Sequence, residues 1–589
     1  MKDFFKYVAA TVVGLIVFGI ILTFFGILSI VGMISSGQAT TNVSKNSVLV
    51  LKLDGILEEQ AGNNFMSGLT GSSTSTIGLQ ETLSAIKKAK ENENIKGIYI
   101  EGGILSSDYA SLQEIRNALL DFKKSGKWMV AYADSYTQGS YYLASVADKV
   151  WLNPSGELDW HGLASNPMYV KDVLNKFGVK MQTIKVGKYK SATEMFTEDK
   201  MSEPNREQTT AYVNGIWQNL CKAVSDSRKI SIDSLNAYAD RLVVFENQQN
   251  LLKYKLVDAL LFSDQVKAEV KKLLKIDEDD TINQVDVAAM ANVKEDTKGE
   301  EIAVYYAYGD IVNTSSPTSL VSNSHEITTK KTCDDLEKLM NNDNVKAVVL
   351  RVNSPGGSAY ASEQIWHQIE LLKQKKPVVV SMGGYAASGG YYISCNSNWI
   401  VAQPTTLTGS IGIFGMIPEV SQLLTQKLGV KFDEVKTNRN AGFGTVSRPM
   451  NSEEIGYPTN YIDRGYQLFR KRVADGRKMT VEQVEELAQG HVFLAQDALK
   501  YKLVDELGGL DKAVAKAAQL AKVDEYYTAS YPATPDILEQ LLSATKSGTY
   551  LDDQTRLALG EFYEPVMMLK KMNRMDMIQA RLPFYINIK

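Results

Sequence analysis

Hydrophobic and polar positions along the chain run through one series of elements twice. In the first half, alternating or wholly apolar runs at Val48–Leu53, Ile95–Ile100, Trp128–Ala133, Lys149–Leu152 and Met181–Val186 predict strands. Between them, Thr82–Lys90, Ser111–Lys123, Gly139–Ala147 and Tyr169–Lys176 carry apolar residues at helical spacing, and helix continues from about Pro204 to Asp226. The order then returns. Strands are predicted at Ile302–Tyr306, Val345–Val352, Pro377–Met382 and Trp399–Ala402, with helices over Cys333–Asn341, Ala361–Gln374 and from Ser388. Two rounds of alternating strands and helices imply α/β domains with mostly parallel strands, right-handed crossovers and helices outside.

The residues confirm the repeat. Lys253–Asp258 reads KYKLVD, and so does Lys500–Asp505. Asn94-Ile95-Lys96-Gly97 faces Asn344-Val345-Lys346-Ala347, and Gly178-Val179-Lys180 faces Gly429-Val430-Lys431. The charged stretch Val293–Glu301 marks the boundary, giving repeats over 46–295 and 296–526. Ala61–Thr76 reads as a Gly-, Ser- and Thr-rich loop, and 527–589 as a tail without a legible motif.

Residues 1–45 are different. No charged residue occurs between Lys6 and Lys45, and the 27 residues Val8–Ile34 are apolar or small. That length crosses about 30 Å of hydrocarbon with tilt, and exceeds the apolar region of about 7–15 residues in a cleavable signal. A retained single-pass anchor in membrane lipid is expected. Lys2 and Lys6 precede it, which places the tail in the cytoplasm and the remainder on the outer side of the inner membrane. Elsewhere composition is ordinary: 44% hydrophobic, 22% charged and a net charge of −4, so nothing argues for nucleic acid. Three scattered cysteines and four scattered histidines show no metal or redox spacing. No motif calls for a metal, cofactor or ATP.

The repeat register locates the chemistry. Ser388, after a strand and a Gly383-Gly384 turn and before Gly389-Gly390, faces Gln138 of the first copy. A serine there sits where helix N–H groups stabilise an oxyanion. An N-cap serine in a Gly-rich turn explains the same residues. Asn353-Ser354-Pro355-Gly356-Gly357-Ser358 follows a buried strand and can turn N–H groups toward one point, or can be a tight turn. The first copy holds Ser106 and Ser107 there, without Pro-Gly-Gly. Lys190, in Gly187-Lys188-Tyr189-Lys190-Ser191-Ala192, faces Ala441 of the second copy. A buried, neutral lysine can activate a serine; a solvated lysine in a basic loop is the alternative. The spacing is not that of a phosphate loop. Each copy thus lacks a different half of one site.

SPGGS, SMGGYAASGGYYIS, TGSIGIFG (Thr408–Gly415) and GKYKSA together resemble the signal peptide peptidase A family in its long, tandem-repeat bacterial form, over nearly the whole chain from the anchor to about residue 525. The resemblance implies two ClpP/crotonase-like domains after a transmembrane helix, and a membrane-anchored serine endopeptidase that degrades cleaved signal peptides and other hydrophobic peptides. It implies Ser388 as nucleophile, Lys190 as base, Ser410 as the lysine's hydrogen-bonding support, and Gly356, Gly357 and Gly389 as oxyanion donors. It further implies a homotetramer. Two departures stand out. The family's arginine in the segment before Phe493 is His491 here, and the proline expected after Glu194 is Met195.

A non-catalytic membrane scaffold and an acyl-CoA enzyme are the competing classes, since fold alone does not fix function. Complementary loss of serine and lysine favours the peptidase.

Overall fold

In the computed structural model, each copy is built on its own sheet. The structure describes residues 42–60, 76–295, 297–314, 325–532, 576 and 578–582, with a few helical positions between 6 and 21. In the first copy the strand order is Thr76–Gly78, Ser47–Glu58, Ile95–Ser106, Trp128–Tyr136, Lys149–Leu158, Ala259–Leu260, and every neighbour is parallel. In the second copy Glu300–Tyr308, Val345–Ser354 and Val378–Ala387 repeat that centre, again in parallel. Both faces of such sheets are covered, so strands are continuously apolar rather than alternating. Val348, Val349 and Leu350 are all buried, and so are Val378, Val379 and Val380.

The second repeat runs further than the sequence pattern indicates. Tyr526–Tyr531 pairs in parallel with Glu300–Tyr308, just as Asn283–Asp286 pairs with the first strand of copy one. The edge strand therefore belongs to the domain and not to the tail. The Ala61–Thr76 loop lies outside the described residues except for Thr76, which opens a short strand. The run Val8–Ile34, expected to be an anchor, lies mostly outside them as well; among the described residues no helix is long and apolar enough to cross a membrane.

A third, smaller sheet joins the copies. Its order is Glu326–Thr328, Asp310–Val312, Gly356–Ser358, Ile578–Arg581, Phe414–Glu419, Lys180–Lys185. Lys180–Lys185 comes from the first copy, and it pairs antiparallel along the whole of Phe414–Glu419 from the second. A strand of one repeat thus completes a sheet of the other, five residues before Lys190.

Buried charge fastens the two cores. Arg351 interrupts an apolar strand, and its guanidinium reaches Glu59 at 2.9 Å and Glu114 at 2.8 Å, both in the first copy. Ser381 Oγ takes a third N–H at 3.0 Å, and Asn353 donates to the other Glu59 oxygen at 2.9 Å. Burial raises the Glu114 carboxyl above its usual range, opposed by Arg351, whose own pKa the two carboxylates raise against desolvation. Removing one partner of such a cluster leaves uncompensated charge in the interior. Arg351→Met is expected to cost about 3–5 kcal/mol, read as a lowered urea midpoint. A loss below about 1 kcal/mol, the value of an exposed pair, would show that the cluster does not hold the repeats together.

Candidate active site

Ser388 ends the strand Val378–Ala387 and caps the short helix Gly389–Ser394. Its backbone is at φ 53°, ψ −112°, a conformation non-glycine residues rarely adopt. Such strain persists only where the surroundings over-determine it. The Ser388 N–H donates to the Gly409 carbonyl at 2.8 Å, and the side chain is fully buried. In the first copy the same position is regular helix: Thr137 is the N-cap at φ −74°, and Gln138 follows it. Gln138 Oε1 accepts from the N–H groups of His161 and Gly162, both at 2.9 Å. The residue that faces Ser388 in the repeat register is a structural strap.

Lys190 crosses from the first copy to Ser388. Its Nζ lies 2.8 Å from Ser388 Oγ, 2.9 Å from Ser410 Oγ and 3.2 Å from the Ser410 carbonyl oxygen. It is 1% exposed, and desolvation by burial is the cause that lowers its pKa well below the usual lysine value. As a neutral amine it has two N–H donors and one lone pair. The Ser388 hydroxyl can donate to that lone pair while the N–H groups face the two Ser410 oxygens. The three expected residues therefore meet, and Ala441, the counterpart of Lys190, is exposed in an irregular segment of the second copy.

The glycine loop has one feature that differs from expectation. The Gly356 N–H donates to Ser354 Oγ at 3.1 Å, and Ser354 in turn donates to the Gly309 carbonyl at 2.7 Å. With that N–H already engaged, only Gly357 and Gly389 of the three expected glycines are left as candidates for oxyanion donors. Gly356 contributes space instead. Its φ is 101°, and a Cβ there would lie 2.2 Å from the Ala580 carbonyl oxygen and 2.7 Å from the Gly389 nitrogen.

The segment Gln489–His491 supports both halves, a role only partly visible in the sequence as the departure at His491. The Gln489 carbonyl accepts from the Tyr189 N–H at 3.0 Å, and the His491 carbonyl accepts from the Ser410 N–H at 2.6 Å. The His491 ring stacks on Tyr189, with centroids 4.1 Å apart and planes 12° from parallel. Burial lowers its pKa, which favours an uncharged stacking partner beside the lysine loop. Met195 sits in the one-turn helix Glu194–Thr197. The buried Glu194 ties the following chain to this helix, accepting from Ser202 Oγ at 2.6 Å and from Asn205 at 2.9 Å.

A buried serine facing a desolvated amine whose pKa burial lowers, beside a glycine-rich turn, is the equipment of a nucleophilic hydrolase. The Peptidase family S49 model matches residues 121–277 and 370–524, once in each repeat, and the Clp protease model matches 299–400. The chain belongs to peptidase family S49 and is a serine protease. It is 37% identical to Protease 4 of Salmonella typhi, covering 92% of this chain and 88% of that one. It is 36% identical to Protease 4 of Haemophilus influenzae, over 84% of this chain and 82% of that one. It is 32% identical to the chloroplastic serine protease SPPA of Arabidopsis thaliana, over 82% and 70% respectively.

The support from Gly490 is open to test. Gly490 has φ 79°, and a Cβ there would lie 2.7 Å from both the nitrogen and the Cβ of Lys190. Gly490→Ala is expected to lose about 1–3 kcal/mol of stability through backbone strain and to shift the amine away from Ser388, lowering peptide hydrolysis. Gly456→Ala, in a helix with nothing within 4 Å of the added carbon, should be neutral or stabilising. Equal behaviour of the two variants in melting and turnover would refute the packing account.

Proposed function

We propose that the chain is an ATP-independent endopeptidase in which Ser388 is the nucleophile and Lys190 the general base, with Ser410 holding the base in place. The observation that carries this is the 2.8 Å approach of the buried Lys190 Nζ to Ser388 Oγ, made between two repeats that each lack the other residue. No observation favours a scaffold, which would have no use for a strained serine or a dehydrated lysine.

The steps follow from these positions. Ser388 Oγ attacks the peptide carbonyl as Lys190 accepts its proton. The oxyanion that forms takes hydrogen bonds from the Gly357 and Gly389 N–H groups. Lys190 then delivers the proton to the leaving amine. Water, deprotonated by the same lysine, hydrolyses the acyl-enzyme. Ser410 holds the amine through both halves of the reaction, so the lone pair stays directed at Ser388.

We assign hydrophobic peptides, cleaved signal peptides among them, as the substrates. The position of the strand Ile578–Arg581 supports this: between Gly356–Ser358 and Phe414–Glu419 the small sheet accommodates an extended chain, and its neighbours are apolar. The uncharged run Val8–Ile34 supports an anchor in the inner membrane, with the catalytic part on its outer side; a homotetrameric assembly rests on the family resemblance alone.

A serine-directed fluorophosphonate should label Ser388 in the folded chain and nothing in Ser388→Ala. Ser388→Ala and Lys190→Ala should each lower peptide hydrolysis by at least about 10³-fold, with the double variant little worse, because the pair acts as a unit. Lys188→Ala should be far milder. Additive losses would separate the two residues and remove Lys190 as the base of Ser388.

Acylation should increase with pH, because only the deprotonated amine accepts a proton. Since burial lowers the Lys190 pKa, the rise should be complete below the ordinary lysine value of about 10.4. A pH–rate profile of burst-phase acylation checks it. The same limb surviving in the residual activity of Lys190→Ala would assign the titration to another group.

A further inference from the structure

A five-residue unit occurs once in each repeat and gives no side chain to the site. Lys176-Phe177-Gly178-Val179-Lys180 reads KFGVK in the first copy, and Lys427-Leu428-Gly429-Val430-Lys431 reads KLGVK in the second. Each unit ends a short helical element, Lys171–Phe177 or Leu423–Lys427. In each the glycine takes a left-handed turn, φ 77° at Gly178 and 71° at Gly429. The apolar residue before that glycine is turned outward in both: Phe177 is 62% exposed and Leu428 65%. A helix of a globular protein ordinarily hides its apolar side chains in a core, yet Lys171–Phe177 has no buried residue.

The two units lie side by side. The Leu423 N–H donates to the Gly178 carbonyl at 2.9 Å, and a Cβ on Gly178 would lie 2.6 Å from that nitrogen. Beyond Lys427 the chain runs without helix or strand, and every residue of 428–439 is exposed. Phe432 and Val435 extend the apolar surface, Val435 at 97% exposure. The stretch is also basic. Lys427, Lys431, Lys436 and Arg439 stand against Asp433 and Glu434, in a chain whose net charge is −4. Lys176 and Lys180, both exposed, flank Phe177.

Apolar side chains this open, ringed by cations, mark an interaction surface. Composition selects the partner. Protein interfaces are depleted of lysine. A bilayer surface favours this mixture, with apolar groups at the acyl boundary and cations on anionic headgroups. The backbone sets the depth: an irregular segment cannot satisfy all its N–H and C=O groups internally, so it stays at headgroup level and does not enter hydrocarbon.

We propose that the KFGVK and KLGVK turns, with the 428–439 segment, form a surface that lies on an anionic lipid bilayer. The paired strands Lys180–Lys185 and Phe414–Glu419 run from this surface toward Lys190, in the register Lys180 to Glu419 and Lys185 to Phe414. Their six residues reach about 20 Å, which sets the height of the site above the headgroups. The surface neither needs nor alters the Ser388–Lys190 assignment. It shares a bilayer with the anchor read from Val8–Ile34, and the test separates the two.

The full chain is placed in vesicles of phosphatidylcholine and phosphatidylglycerol that carry a nitroxide high on the acyl chain. Phe177→Cys, Val435→Cys and, as control, Phe245→Cys are each labelled with bimane in a Cys333→Ser background. Phe245 is exposed in another part of the first copy, and Cys221 and Cys395 are buried. The labels at Phe177→Cys and Val435→Cys should be quenched at least about twofold and the control should not. Vesicles of phosphatidylcholine alone, or Lys427→Glu with Lys431→Glu, should lessen the quenching at Val435→Cys. Chain that floats with the vesicles while both patch labels stay unquenched would overturn the lipid surface and leave the anchor standing. If those unquenched labels are also shielded from aqueous iodide, a second copy covers the surface instead. Equal quenching at all three positions would show no oriented contact and overturn the proposal. Chain that does not float would overturn both surface and anchor.

Discussion

A lysine serves as a base only when it has no proton, and water opposes that state. Dehydration is the cause behind the lowered pKa of Lys190, so the site depends on keeping solvent from one amine. Neither repeat encloses it alone. The strand before Lys190 is built into the second copy's small sheet, Gly490 packs on its backbone, and Ser388 and Ser410 close around the amine. The Arg351 cluster and the shared apolar core, in which Ala387, Leu407, Val492 and Leu494 of the second copy join the first, hold that enclosure shut. On the proposed Ser388–Lys190 mechanism, catalytic competence and inter-repeat docking are one physical requirement.

The two copies differ at the positions that meet in this enclosure. In the first copy the position that faces Ser388 is Gln138, whose amide oxygen ties down His161 and Gly162. The helix there starts one residue earlier, with an ordinary N-cap at Thr137. The second copy has the strained backbone at Ser388 and no lysine at the position that faces Lys190, where Ala441 stands in an exposed segment. The strained backbone occurs at Ser388, beside Lys190, and the position facing it in the first copy has ordinary helical geometry.

Much of this was legible from periodicity and register. The strands Ile95–Ile100 and Trp128–Ala133 and the helix from Pro204 lie within observed elements, because continuous apolar runs and helical spacing are local signals. Ser388, Lys190 and Ser410 came together as the motifs implied. What escaped depends on distant partners. Arg351 is conspicuous in an apolar strand, but nothing local names Glu59 and Glu114, which lie 292 and 237 residues away. Gly356 could not be known to have spent its N–H until Ser354 Oγ was placed beside it. Ile578-Gln579-Ala580-Arg581 is short, and its ladder partners come from two separate loops.

The seated tail also shows how such a cleft can discriminate. Recognition by strand addition draws affinity from main-chain hydrogen bonds and specificity from alternate side chains. The main-chain partners here are the glycine loop and Phe414–Gly415, which accept any sequence. Ile578, Ala580 and Leu582 alternate along the strand. The first packs against the second copy's core, the second is part of it, and the third joins the core centred on the first copy. The floor of the cleft is therefore the seam between two apolar cores. Charged side chains at those alternate positions would lose their hydration without gaining a partner, whereas apolar ones extend the cores. An extended segment with apolar side chains at those alternate positions fits this seam. The same seam that keeps Lys190 dry thus supports the assignment of apolar peptides as substrates.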